Sequence, residues 1–210
     1  MAIKKIKAQS PDPYLGKIKG DTEFARLAHL NQLVDQINNN TSASTYKVYT
    51  ALLTQSGGDD VQSINSGDLT IGITYKINVA DNDGDFTNVG APNNNAGTYF
   101  VATGTTPNTW GTTGDLKYNN GAPTVTVLEN TIGNIWFEYD NVGQYFVNSD
   151  GLFTTDKTFI SIVAGSSSRP DVLVTYITNT TSNIILHSVR LDTPVNDLLL
   201  NASLEIRVYN

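Results

Sequence analysis

The sequence has no cysteine, one methionine, two histidines and no apolar run approaching 18 residues. Without cysteine there is no disulfide framework and no zinc or other metal site built on thiolates. Without a long apolar run, nothing reads as a membrane-spanning helix. Charged residues are also scarce, at 16% against about a quarter in an average globular chain. The balance is acidic, a net −7, which argues against a nucleic-acid partner. The first residues, Met1-Ala-Ile-Lys-Lys-Ile-Lys, lack the uninterrupted apolar stretch of a secretory signal. What fills the chain instead is small and polar: Thr, Asn, Ser and Gly account for 80 of 210 residues.

Charge is unevenly spread. Residues 1–20 carry Lys4, Lys5, Lys7, Lys17 and Lys19 against a single acid, Asp12, or about +4. Residues 41–210 carry seven basic and sixteen acidic residues, or about −9. A basic arm on an acidic body reads either as a solvated tail or as a segment that touches another molecule. Pro11 and Pro13 predict an extended arm, and Gly16 and Gly20 loosen it.

One short helix is expected over residues 21–40. Asp21 is placed to cap it and Glu23 lies in the first turn, where the helix dipole favours an acid. Phe24, Leu27, Leu30, Val34 and Ile37 recur at helical spacing, while Asn31, Gln32, Asp35, Gln36 and Asn38 fill most of the other face. The run Asn38-Asn-Asn-Thr-Ser42 ends it with residues that favour local side-chain hydrogen bonds. A helix of about 18 residues is marginal alone, so the stripe needs a partner. That partner is either the core of the body or further copies of the same helix in a short coiled coil.

From Ser44 onward the period changes to 2. Strands are expected at Tyr46–Thr54, Leu69–Val79, Thr98–Ala102, Thr124–Leu128, Ile135–Tyr139, Gln144–Val147, Lys157–Val163, Val172–Thr178, Ile184–Leu191 and Ala202–Tyr209. In the last of these, Ala202, Leu204, Ile206 and Val208 face in. Turns at hairpin spacing predict a mainly β fold: an extended arm, one short helix that can serve a trimeric coiled coil, and an antiparallel β-sandwich-like body. Residues 57–121 are densest in Gly, Asn, Thr and Asp and read as a small β module inserted into a host domain of residues 45–56 and 122–165. Residues 166–210 read as C-terminal hairpins, packed on the host or separate from it.

Reactive chemistry finds little purchase. Asp81-Asn-Asp-Gly-Asp85 spaces oxygen ligands like the start of a calcium loop, but Phe86 and Pro92 stand where an EF-hand needs Gly and an acid; a polar turn is the competing reading. Glu129, Glu138 and Asp140 invite comparison with glycosidase carboxylates, yet Glu138 and Asp140 fall on one outward strand face. His29 and His187 have no nucleophile and base in a recognisable frame. The Gly104 and Gly111 segments follow no phosphate-loop rule. The sequons at Asn40, Asn179 and Asn201 are those expected by chance in so Asn- and Thr-rich a chain. Tyr99, Trp110, Trp136 and Tyr145 have the rings to stack on a sugar, or to fill a core. Tyr99 and Trp110, on the inserted segment, are the glycan contacts this reading selects. No catalytic residue, metal ligand or cofactor is expected.

Tyr46-Lys-Val-Tyr-Thr-Ala-Leu-Leu-Thr-Gln-Ser-Gly57, resuming at Ala122-Pro-Thr-Val-Thr-Val-Leu-Glu-Asn-Thr-Ile-Gly133, resembles a segment of virion proteins from Bacteroidetes-infecting phages, including crAss-like phages. In that family the two strands are joined by a short turn and followed by an aromatic strand, here Ile135-Trp-Phe-Glu-Tyr, and a Lys-Thr-Phe strand, here Lys157-Thr-Phe-Ile. Leu69-Thr-Ile-Gly-Ile-Thr-Tyr-Lys-Ile, Gly84-Asp-Phe-Thr-Asn-Val-Gly-Ala and Phe100-Val-Ala-Thr-Gly-Thr-Thr-Pro-Asn-Thr-Trp resemble a mobile module of phage structural proteins. The resemblance covers residues 46–165. It implies a non-enzymatic structural component of a phage particle assembled in the host cytoplasm, most like a homotrimeric head fibre or a tail-fibre-like appendage. On that reading Phe24, Leu27, Leu30, Val34 and Ile37 bundle three copies. Lys4, Lys5, Lys7, Tyr14, Lys17 and Lys19 meet capsid proteins. The alternative is a tail-associated or capsid-surface adhesin for a bacterial surface glycan.

Overall fold

The computed structural model describes residues 29–35, 45–79, 83–165, 171–178 and 180–210. Residues 1–45 and 46–210 fall into two units. In the first, residues 29–35 are helical, with Leu30 and Leu33 exposed and Val34 half-buried.

The second unit is mainly β. Its strands are β1 (Tyr46–Thr54), β2 (Val61–Ile64), β3 (Thr74–Ile77), β4 (Tyr99–Val101), β5 (Leu116–Asn119), β6 (Thr124–Asn130), β7 (Ile135–Asn141), β8 (Gln144–Ser149), β9 (Thr158–Val163), β10 (Val172–Thr178), β11 (Asn183–Arg190), β12 (Thr193–Pro194) and β13 (Ala202–Tyr209). One sheet has the order β6-β1-β13-β9 and a second β10-β11-β8-β7, with β12 paired to β11. Every pairing in both is antiparallel.

Alternation makes these two sheets into a sandwich. Tyr49, Ala51 and Leu53 of β1 and Leu204 and Ile206 of β13 point inward, opposed by Phe137, Tyr145, Val147, Ile184 and Leu186 from the second sheet. All are almost fully buried, so one apolar layer holds both faces together. Val48, Thr50 and Leu52 take the outer face of β1. The C-terminal strands belong to this sandwich, with β13 lying between β1 and β9.

A third sheet, in the order β2-β5-β3-β4, lies between β1 and β6 in sequence and has its own apolar cluster around Tyr75, Ile77, Phe86, Phe100 and Leu116. Yet β1 and β6 are direct neighbours, with Thr54 opposite Thr124. The chain leaves the first sheet, builds the third and returns beside its point of exit. Gln55 holds this junction: its buried amide donates from Nε2 to the carbonyls of Gly57 at 2.9 Å and Gly121 at 3.2 Å.

The strand expected over Leu69–Val79 is shorter than its alternation suggests. Only Thr74–Ile77 is extended; residues 71 and 72 form a turn, and Ile71 is exposed. Gly72 explains the break. Its φ is +87°, and a Cβ there would lie 2.4 Å from the Val125 carbonyl oxygen. The close approach lets the Val125 amide donate to the Gly72 carbonyl at 2.9 Å, stitching the inserted sheet to β6. Only glycine tolerates both conditions.

Candidate functional site: the seam between the inserted sheet and the sandwich

Strand β7 alternates Ile135 and Phe137 into the core with Trp136 and Glu138 outward. The outward pair meets β3 and β4. Thr74 Oγ1 accepts from the Phe137 amide at 3.0 Å, Asn134 Nδ2 donates to the Tyr99 carbonyl at 3.0 Å, and Val101 reaches into the sandwich core. These contacts bring Tyr99 onto Trp136, with ring centroids 5.5 Å apart and planes only 12° from parallel. The Lys76 ammonium lies 4.9 Å from the centroid of the Tyr99 ring. Lysine and two stacked rings thus form a continuous column across the seam.

Electrostatics follow from this geometry. Burial raises the Tyr99 hydroxyl above its ordinary pKa, and the nearby Glu138 carboxylate acts in the same direction while the Lys76 ammonium opposes both. Glu138 Oε2 accepts from Asn148 Nδ2 at 2.6 Å and Trp136 Nε1 at 3.3 Å. Lys76 of β3 stands directly opposite Lys117 of β5.

Two hollows flank the column. One, of about 220 Å³, is lined by Lys76, Tyr99, Lys117, Tyr118, Glu138 and Tyr139 among others. The other, a groove of about 470 Å³, takes its walls from Asn93, Asn95, Tyr99, Asn134, Trp136 and Asp150. Tyr99 lines both.

The remaining residues singled out from the sequence are dispersed. Trp110 lines neither hollow. Its ring meets Phe86 edge-on at 5.4 Å, and its Nε1 donates to the Gly67 carbonyl at 2.9 Å. Tyr145 is wholly buried, so its ring is not available to a ligand. Glu129 is exposed on β6, and Asp140 sits where the β7–β8 register shifts. His187 is half-buried on β11, opposite Thr175 and Gln144. His29 is exposed on the helix. Lys4, Lys5, Lys7, Tyr14, Lys17, Lys19, Phe24, Leu27 and Ile37 lie outside the described residues, as does Asp81.

The two described acids of the calcium-like loop are occupied by the protein itself. Asp83 accepts from the amides and hydroxyls of Thr112 and Thr113, at 2.7–3.0 Å. Asp85 accepts from the Thr87 amide and hydroxyl, from Asn94 Nδ2 and from Asn108 Nδ2. These hydrogen bonds hold both carboxyls well below the usual range. Among the described residues, no group of three or more His, Asp or Glu side chains is placed to hold a metal ion.

Sequence reasoning singled out Tyr99 and Trp136 as exposed-strand aromatics without pairing them, and it passed over Lys76 and Lys117. Each lysine is an outward position beside buried apolar neighbours on a short strand, Lys76 between Tyr75 and Ile77 and Lys117 after Leu116, and no local pattern marks two such positions as opposite. No protein-family model, curated protein or solved structure matches the chain.

Proposed function

We infer that the chain is a structural, non-catalytic component of a phage particle, a trimeric head fibre held to the capsid through residues 1–20. The observation that carries this reading is the pairing of β1 with β6. In the virion proteins that the sequence resembles, a short turn joins these two strands. Here Thr54 and Thr124 face each other in adjacent antiparallel strands, so the host geometry is that of a hairpin whose turn has been replaced by a folded module. The exposed Leu30 and Leu33 on the helix support self-association, since apolar side chains on a short helix gain stability when a partner covers them.

The test is incorporation into particles. Full-length protein expressed during infection is expected in purified particles by mass spectrometry, and a variant lacking residues 1–20 is expected to stay folded and soluble but absent from them. Incorporation of the truncated chain overturns the anchoring role. Absence of the full-length chain from particles overturns the reading as a whole.

A further inference from the structure

We propose that the 220 Å³ cavity bounded by β3, β4, β5 and β7 binds a carboxylate-bearing sugar ring, a hexuronate unit of an acidic polysaccharide, with the Lys76 and Lys117 ammonium groups taking the carboxylate. The proposal adds a ligand to the structural role and does not depend on it.

The first argument is the lysine pair. Lys76 and Lys117 occupy opposite positions in adjacent antiparallel strands, where like charges oppose strand pairing. Residues 41–210 contain only seven basic side chains, so two in register are a costly use of them. Among the described residues the ion pairs are Arg190 with Asp171 and Arg207 with Glu205; neither lysine is neutralised that way. Glu138 is the one acid on the cavity wall, and its Oε2 is already shared by Asn148 and Trp136. The wall therefore carries a net +1 on a body of about −9. An anionic group entering the cavity relieves the lysine repulsion and forms charge-assisted hydrogen bonds.

The second argument is the rest of the wall. Tyr99, Tyr118 and Tyr139 line the cavity with aromatic surface and hydroxyls. Rings of this kind cover the C–H face of a sugar while polar groups at their edges meet its hydroxyls. The volume narrows the choice further. It lies below the roughly 300–1,000 Å³ of sites for drug-sized ligands, which matches one ring with its carboxylate rather than an oligosaccharide buried end to end.

Amide TROSY spectra of the full chain, titrated with D-glucuronate, D-glucose and inorganic phosphate, test this directly. Glucuronate is expected to shift the amides of Lys76, Lys117, Tyr118 and Tyr139, and glucose to bind at least tenfold more weakly. Lys117→Gln should weaken glucuronate roughly ten- to a hundredfold, the range for loss of one hydrogen bond to a charged group, and Glu138→Gln should tighten it. Equal affinity for glucose would mean that the lysines do not recognise the ligand. Equal affinity for phosphate would mean that the tyrosines do not. Either result overturns the proposal, as does an unchanged affinity in Lys117→Gln or the absence of shifts at these amides. Should Lys117→Gln misfold, Lys76→Gln and Glu138→Gln provide the same readout with opposite signs.

Discussion

The Tyr145 hydroxyl donates to Gln55 Oε1 at 2.7 Å, tying an inner strand of the second sheet to the point where the chain leaves the first. Gln55 uses every part of its amide: Oε1 also accepts from the Asp197 amide at 2.7 Å, while Nε2 serves the carbonyls on both sides of the splice. Gln55→Ala removes all four interactions in a buried setting. Asn196 Nδ2 still reaches the Gly57 carbonyl, so the loss is less than the full sum. A cost of about 2–4 kcal/mol is expected in urea unfolding. Tyr145→Phe should cost about 1 kcal/mol, because Asp197 still donates to Gln55.

The same burial makes the fold sensitive to alkali. It pushes the Tyr145 hydroxyl up to about 12 and raises Tyr49 further still. A phenol with a raised pKa ionises first in the unfolded chain. Its contribution is therefore complete below about pH 10 and is lost as pH climbs from there towards the folded value. Tyr49 differs from Tyr145 in one respect: its buried hydroxyl has no hydrogen-bond partner among the described residues. Tyr49→Phe removes an unsatisfied polar atom and should leave stability at pH 8 unchanged or raise it by about 1 kcal/mol. It should also shrink the difference between urea unfolding at pH 8 and at pH 11. A clear destabilisation at pH 8 would show that the hydroxyl is satisfied.

Gly72 offers a test of how the inserted sheet is attached. A Cβ at this position would collide with the Val125 carbonyl, and the backbone lies in the left-handed region. Gly72→Ala is expected to cost about 2 kcal/mol or more. The amide of Val125, which donates to Gly72, should lose hydrogen-exchange protection out of proportion to amides inside β13.

How much of this was readable beforehand depends on the distance over which each signal acts. Alternation is local, so Ala202, Leu204, Ile206 and Val208 could be placed inward from sequence, and they line the core. The same rule misled at Ile71, where apolar spacing continues but Gly72 turns the chain. Strands β2 and β5 read Val-Gln-Ser-Ile and Leu-Lys-Tyr-Asn, too short and too polar for the pattern to separate from loop. The seam was the least legible part. Trp136 stacks on Tyr99 because of how the sheets dock, Lys76 faces Lys117 because β3 pairs with the distant β5, and no single segment contains either relationship.

Loop order in the inserted sheet should depend on Asp83. Its carboxylate gathers the amides and hydroxyls of Thr112 and Thr113, and its pKa is depressed. A depressed carboxyl stabilises the fold above the ordinary Asp value of about 3.9 and loses that effect as pH falls below it. The Thr112 and Thr113 amides are expected to stay protected from exchange at pH 5 and to lose protection in Asp83→Ala at the same pH. Equal protection in the variant would mean that the loop is held from elsewhere.

The helix makes the prediction that bears on assembly. Leu33 and Val34 follow Leu30 by three and four residues, so both flank its face of the helix, and the two leucines are exposed. If three copies bundle through this face, the protein in solution has three times the 22.7 kDa of one chain. Leu30→Asp combined with Val34→Asp places three like charges on each level of such a bundle, where burying an unpaired carboxylate is prohibitive. Light scattering should then report a fall from trimer to monomer, with the far-ultraviolet β signal unchanged because residues 46–210 have their own core. An unchanged trimeric mass would place the self-association in the β unit, and a monomeric parent protein would remove the trimer altogether.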